Sequence, residues 1–318
     1  VVPPDSVVNW SSSFVSTEDA NEHSEEFWEK ERHEELNKNE AGVYKMTKDL
    51  KDLPTFKRAM NVMFLLISGY YDIGKVDIGP LYSLFSFNNV EGIRNRLSVR
   101  TNKKFSKKVA MVGYLAYGWS DAKKQRRLKG GFAFTYFFKQ RPYHQIDVEY
   151  QRDIKAPGAS VQLATFDNVF LSFRRGVANL MLYHDTWRLK YTKEWNGFGV
   201  GLNLEHIRNV TAGELLFKPV DGSADVENVV ANEVTAWLRY SPNTRFFEGR
   251  AKRVPILTKH PIVTLSYTYN IGDGLLGSKY AHHKINGSIF KRFFLSPVGF
   301  GDMTISGGYL FGQVPYVL

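Results

Sequence analysis

Apolar and polar positions alternate along most of this chain. Phe132, Phe134, Tyr136 and Phe138 alternate with Gly131, Ala133 and Thr135, and Val263, Leu265, Tyr267 and Tyr269 alternate with Thr264, Ser266 and Thr268. A period of two gives a strand two unlike faces. Eleven stretches of roughly ten residues read this way, near 75–87, 91–101, 108–120, 129–139, 144–152, 179–194, 197–209, 232–241, 261–271, 282–294 and 301–312. The second opposes Ile93, Leu97 and Val99 to Arg94, Arg96, Ser98 and Arg100. The fifth opposes Ile146, Val148 and Tyr150 to Gln145, Asp147 and Glu149, and the sixth opposes Trp187, Leu189 and Tyr191 to Thr186, Arg188 and Lys190. The seventh sets Phe198, Val200, Leu202 and Leu204 against Gly199, Gly201, Asn203 and Glu205.

Alternation does not say which face points outward. Three features favour a membrane barrel, apolar side out. The stretches are about twice the ~5–6 residues of an ordinary strand. Their polar faces carry both signs of charge, as a water-filled lumen does. Their connections alternate in length: Asn102 to Lys107, Gln140 to Tyr143, Trp195 to Gly197 and Leu295 to Phe300 are tight, whereas Asp153 to Ala178 and Thr211 to Ala231 are long. Ser241 to His260 breaks the rule, as an inserted segment or a change of register. The expected fold is all-β: a transmembrane antiparallel β-barrel of about eleven visible strands, part of a larger barrel, over residues 75–318. Arg94, Arg96, Arg100, Asp147, Glu149, Arg188, Lys190 and Glu205 are the lumen-facing candidates. Phe132, Phe134, Tyr136, Phe138, Trp187, Leu189, Val263, Leu265 and Tyr267 are the lipid-facing ones.

Residues 1–74 lack this alternation. Glu25 to Asn37 reads as a charged helix capped by Ser24, a second short helix spans Ala41 to Leu50, and Phe56 to Ile67 reads as an amphipathic or buried helix stopped near Gly69. This segment is expected in the periplasm. Val1-Val2-Pro3-Pro4 is not a signal peptide, so the chain is expected to be a piece of a longer protein.

Composition changes the picture little. Tyr and Phe number 17 and 23 among 318 residues, as strands and membrane interfaces favour. The mean hydropathy of −0.31 fits a barrel whose strands turn alternate residues to water. Cysteine is absent, which removes disulfides and thiolate metal sites. The net charge of +10 is spread over turns such as Lys103-Lys104, Lys107-Lys108 and Lys123-Lys124-Gln125-Arg126-Arg127, so it points to solvated loops or anionic headgroups rather than to nucleic acid.

Candidate chemistry is sparse. No G-x-S-x-G elbow, P-loop or H-E-x-x-H occurs. His282 and His283 are adjacent and point to opposite faces of a strand, which suits no shared metal. His144, His184 and His206 lie on separate strands. Asp147 and Glu149 are expected to pair with arginines such as Arg94, Arg96 or Arg188 rather than to act as acid and base. No catalytic residue, metal or cofactor is expected.

An ordered set of motifs carries a resemblance. Phe27-Trp28-Glu29-Lys30, Leu36, Tyr44-Lys45-Met46 and Pro54-Thr55-Phe56-Lys57-Arg58 lead to Ser68-Gly69-Tyr70-Tyr71, Ile78-Gly79-Pro80 and Ser86-Phe87-Asn88-Asn89-Val90-Glu91-Gly92. Arg100-Thr101-Asn102 and Gly113-Tyr114-Leu115-Ala116-Tyr117-Gly118 follow. The order resembles a Bacteroidota outer-membrane family of unknown function, whose members carry this domain behind a carboxypeptidase-regulatory-like one. The resemblance implies a barrel related to BamA-type barrels, and no activity. Here the regulatory-like domain is missing and the chain stops at Leu318, so closure of the sheet is expected from further chain or from another protein. The resulting expectation is a non-enzymatic accessory or assembly component of the bacterial outer membrane. Its partners would be outer-membrane lipids, lipopolysaccharide and other outer-membrane or periplasmic proteins. A passive channel for small solutes and, behind it, an outer-membrane hydrolase are the alternatives.

Overall fold

A computed structural model describes residues 27, 30, 37–140, 142–157, 180–195, 197–218, 226–248, 253–256, 260–272, 274–295 and 299–318. The chain divides into two compact units, Val1–Val62 and Met63–Leu318.

Two helices belong to the N-terminal part. α1 (Lys38–Asp52) starts where Glu40 accepts a hydrogen bond from the backbone N–H of Asn37 at 3.0 Å, which satisfies a donor left free at the helix start. α2 (Pro54–Ser68) begins on proline, which tolerates the first helical position, and ends before Gly69, whose φ is +76°. A Cβ at Gly69 would stand 2.6 Å from the Tyr82 ring, so glycine is required there twice over. The two helices correspond to the stretches expected from Ala41 and from Phe56. The helix expected over Glu25 to Asn37 lies almost wholly outside the described residues, although Phe27 and Lys30 are helical.

Met63–Leu318 is built on one antiparallel sheet. Its strands are β1 (Tyr71–Ile73), β2 (Val76–Ile78), β3 (Phe85–Asn88), β4 (Gly92–Thr101), β5 (Val109–Gly118), β6 (Leu128–Lys139), β7 (His144–Lys155), β8 (Leu180–Trp195), β9 (Phe198–Gly213), β10 (Asn228–Tyr240), β13 (Ile262–Asn270), β14 (His282–Leu295) and β15 (Gly299–Phe311). A separate hairpin, β11 (Arg245–Glu248) with β12 (Arg253–Ile256), interrupts the chain between β10 and β13. The path runs β1-β2-β4-β5-β6-β7-β8-β9-β10-β13-β14-β15, with β3 also paired to β4. Among the described residues β1 and β15 are its two ends, and the sheet is open.

Ten of the eleven stretches read from the alternation form one strand each. The first does not. Residues 75–87 break into β2, a single 3-10 turn at Leu81–Ser83, and β3. Pro80 explains the break, because it has no N–H to give to the ladder. Both fragments then pair with the one strand β4, at its opposite ends. The ladder of β6 with β7 shifts register between Phe137 and Lys139, so strict alternation ends one residue before Phe138. The register at Ser241 to His260 holds: β10 ends and β13 begins at the same end of the sheet as the tight turns, and the β11–β12 hairpin is the insertion. The tight turn between Trp195 and Phe198 uses Gly197 at φ +82°.

The sheet curls toward its polar face. Arg94 on β4 and Asp153 on β7 are three strands apart, roughly 14 Å on a flat sheet, yet their side chains stand 2.7 Å apart. After β15 the chain turns back over that face. Val317 and Leu318 pack against a cluster of Leu182, Leu215, Phe217 and Val229 at the long-loop end, and Lys284 Nζ donates to the Leu318 carbonyl oxygen at 2.7 Å.

Candidate functional site

The polar face carries the densest chemistry, because the strand period gathers charges there and the curl brings distant strands together. Near the long-loop end Arg94 is fully buried. Its guanidinium meets Asp153 at 2.7 and 3.0 Å and Glu91 at 3.2 Å. Lys129, also buried, bridges Glu91 at 2.6 Å and Asp121 at 2.8 Å. Tyr114 donates to Asp153 and Tyr183 to Asp121, each at 2.5 Å, and Gln151 donates to the Tyr114 oxygen at 3.1 Å. Arg96 lies 3.7 Å over the Tyr114 ring. Three buried carboxylates therefore share this region with three buried cations, Arg94, Arg96 and Lys129, and neutral donors add to the ion pairs. Burying so many charges is tolerable only when each is matched in this way.

The network continues toward the tight-turn end. Arg188 joins Glu149 at 3.1 Å and Glu205 in close contact, and Lys190 reaches Glu149 at 3.1 Å. Asp147 accepts from Thr135 at 2.6 Å and from Gln145 at 3.0 Å. On β4, Arg100 joins buried Asp77 at 3.1 Å and covers the Tyr70 ring at 3.5 Å. Burial holds the Tyr70 phenol, just ahead of β1, above its ordinary pKa, while Arg100 pulls the other way.

All eight charged candidates, Arg94, Arg96, Arg100, Asp147, Glu149, Arg188, Lys190 and Glu205, sit on this one face by strand register. The pairing of Glu149 with Arg188 is as expected; Arg94 pairs instead with Glu91 and Asp153. The sequence reading missed Glu91, Asp121, Lys129, Asp153, Tyr114 and Tyr183. Two of these had a visible signal: Asp153 continues the odd series Asp147, Glu149, Gln151, and Lys129 that of Gly131, Ala133, Thr135. Glu91 and Asp121 lie in connections, where periodicity carries no information.

The opposite face is the apolar one and it is exposed. Phe132 is 44%, Trp187 49% and Leu265 52% exposed; Phe134, Phe138, Leu189, Val263 and Tyr267 are exposed as well, and Tyr136 is half-buried. Aromatic side chains on this face form several groups, among them Tyr136, Phe138 and Tyr191 around His144. Phe132, Tyr150 and Trp187 meet with ring centroids 4.5 to 6.1 Å apart, and at the tight-turn end Phe198 meets Trp195 at 6.3 Å and Tyr240 at 4.7 Å.

Several described histidines hydrogen-bond to uncharged groups, and His282 also stands 3.5 Å from Glu233. His184 lies between Asn209 and Thr186 at 2.7 and 2.6 Å, His206 meets Asn232 at 2.7 Å, and His144 meets the Tyr191 hydroxyl at 2.9 Å. His282 and His283 separate, as neighbours on a strand do, toward Tyr280 and Tyr267. Among the described residues no group of three or more His, Cys, Asp or Glu side chains is arranged to hold a metal ion. No described helix is long and apolar enough to cross a membrane.

Residues 66–314 match the model of a family described as a family of unknown function (DUF5686), C-terminal domain. A search of curated proteins gives no match.

Proposed function

We propose that this chain, which belongs to the DUF5686 C-terminal-domain family, is a non-enzymatic transmembrane β-barrel component of the Bacteroidota outer membrane and serves there in assembly. The observation that carries the reading is that the sheet is inside out, with matched charges buried on one face and large apolar side chains exposed on the other. Water would penalise that exposed face, whereas hydrocarbon would not. The aromatic groups at Trp187 and at Trp195 fit the same solvent boundary. Trp187 and Trp195 lie eight residues apart on β8, about 26 Å along the strand. At a barrel strand's tilt of roughly 35–45° that is about 20 Å of height, near the ~25 Å of an apolar band between aromatic girdles. Helix α2 adds an exposed apolar side, with Leu66 at 80% and Ile67 at 79%, behind Lys57 and Arg58, as suits a helix lying in a membrane interface. The N-terminal unit would then be periplasmic.

The role rests on β15. Its thirteen residues pair, among the described residues, on one side only, and all but Gly301 and Leu310 are exposed, those on the polar face included. A long edge strand in lipid needs a neighbour for its backbone groups. A strand of another polypeptide, added by β-augmentation, would meet that need and join this protein to a complex. The BamA-type kinship that the motif resemblance implies would point the same way. A conducting pore is the weaker reading, because the returning tail and the Leu182 cluster occupy the long-loop end of the polar face.

The test is a photo-crosslinking residue at Ser306, with Ser288, its register partner on β14, as the control. In native membranes Ser306 is expected to capture another polypeptide and Ser288 is not. Capture by this chain alone would remove the assembly role and leave the membrane placement standing.

A further inference from the structure

The basic turn Lys123-Lys124-Gln125-Arg126-Arg127 forms part of a built pocket. It lies in the connection between β5 and β6, and its ends are tied down. Buried Asp121 accepts from the Lys123 backbone N–H at 3.1 Å while its carboxylate also holds Lys129 and Tyr183. Arg127 Nε donates to the Asp121 carbonyl oxygen at 3.1 Å, and Arg126 clasps Asp185 of β8 at 2.7 and 2.8 Å. Anchored this way, the turn faces Arg208 of β9 across a pocket of about 400 Å³ lined by Lys123, Lys124, Arg126 and Arg208, with Glu227 its one acidic wall. Asp185 offsets Arg126. Lys124 and Arg208 are exposed and have no charged partner among the described residues.

Its height on the sheet is informative. Arg208 stands in register with Asp185, and Asp185 with Arg152, on the apolar side of the sheet. The next row toward the tight turns holds Tyr150, Trp187 and His206, and the row after it Val148, Leu189 and Leu204. A cationic pocket therefore sits directly beyond the first aromatic group, where the apolar surface ends. Phosphate groups of lipids lie at that level when aromatic girdles mark the interface.

We propose that this pocket binds the phosphate of an anionic lipid headgroup, with the lipid's acyl chains continuing over Trp187 and Leu189. The proposal rests on the membrane reading. A lipid is favoured over a free anion because Arg208 of the pocket stands one row from Trp187 and His206 at the border of the exposed apolar face, so one ligand satisfies both surfaces.

The experiment uses the whole chain, wild type and K124Q/R208Q, first floated with phosphatidylcholine vesicles and then examined in detergent by native mass spectrometry. The probes are dimyristoyl phosphatidylglycerol, dimyristoyl phosphatidylcholine and inorganic phosphate. Wild type is expected to retain phosphatidylglycerol in preference to phosphatidylcholine, and the double variant to bind it about thirtyfold more weakly, since each cation near the surface contributes about fivefold. K107Q/K108Q, which removes the same charge from exposed residues at the other end of the sheet, is expected to bind as wild type does. Equal weakening by K107Q/K108Q, or no weakening by K124Q/R208Q, overturns the site while the membrane reading stands. Inorganic phosphate displacing the lipid at equal concentration also overturns it, in favour of a free-anion site. Failure of wild type to float with any vesicle removes both readings together.

Discussion

Two arginine–aspartate pairs at opposite ends of the same sheet share a chemistry and differ in almost everything else. Arg94 and Asp153 lie on β4 and β7, three strands apart, and are sealed from solvent. Arg292 and Asp302 face each other on neighbouring β14 and β15, with two bonds of 2.6 Å in a similar forked geometry, and Asp302 is open to solvent. The first pair locks the curl of the sheet; the second lies where, among the described residues, the sheet ends. Geometry alone does not decide what an ion pair contributes. The solvent around it and the strands it ties together decide that.

The largest effect is therefore expected at the buried pair. Asp153→Ala takes away one of the carboxylates that face Arg94, leaving Glu91, and removes the acceptor of Tyr114, and should cost about 3–5 kcal/mol, the usual loss when one member of a buried pair is taken away. Urea unfolding of the protein folded into lipid vesicles, followed by tryptophan fluorescence, measures it. The paired change Arg94→Leu with Asp153→Leu should restore most of that loss, because no charge is then left alone. If the double variant is as unstable as the single one, the pair acts through shape rather than through charge.

A second contrast concerns the two faces. Leu202 stands midway between the aromatic groups on the exposed side, paired with Tyr191 and Ala236. On a surface facing water, Leu202→Arg would shift stability by no more than about 0.5 kcal/mol. On a surface facing hydrocarbon it should cost about 2–4 kcal/mol. The same unfolding measurement in vesicles separates these outcomes, and a neutral result removes the lipid-facing assignment.

That contrast also explains how much could be read from the chain. Long strands such as β8 and β9 were legible because each face meets a single environment over most of its length, so the period of two survives except near the long-loop end, at Leu182, Asp185 and Arg208. The break at Pro80 and the slip after Phe137 were not recognised, since one residue out of step carries little weight in a ten-residue pattern. The network was half legible. Alternation tells which face Arg94 occupies but not which partner it meets: Asp153 is 59 residues away and Asp121 is 62 residues from Tyr183. Those contacts come from the curl, and the curl is a property of the whole sheet rather than of any strand.

Packing on the polar face gives a smaller expected effect. Gly201 lies opposite Trp237, and a Cβ there would stand 2.4 Å from the indole. The indole covers the glycine, so Gly201→Val must push Trp237 off the sheet, at about 1–3 kcal/mol for overpacking. Its signature is local: the emission of Trp237 should shift in the folded protein, with Trp237→Phe as the control that identifies the signal.

The smallest effect is expected at the exposed pair, and it depends on the preparation. In the isolated protein Asp302→Asn removes a forked bond that water readily replaces, so the unfolding midpoint should not move beyond error. In native membranes a partner strand seated on β15 would cover Asp302 and exclude that water, and the same substitution should then weaken the Ser306 crosslink. An identical crosslink yield in wild type and Asp302→Asn would mean that this end of the sheet stays wet even in the membrane. The difference between the two ion pairs would then belong to the finished assembly as well as to the isolated chain.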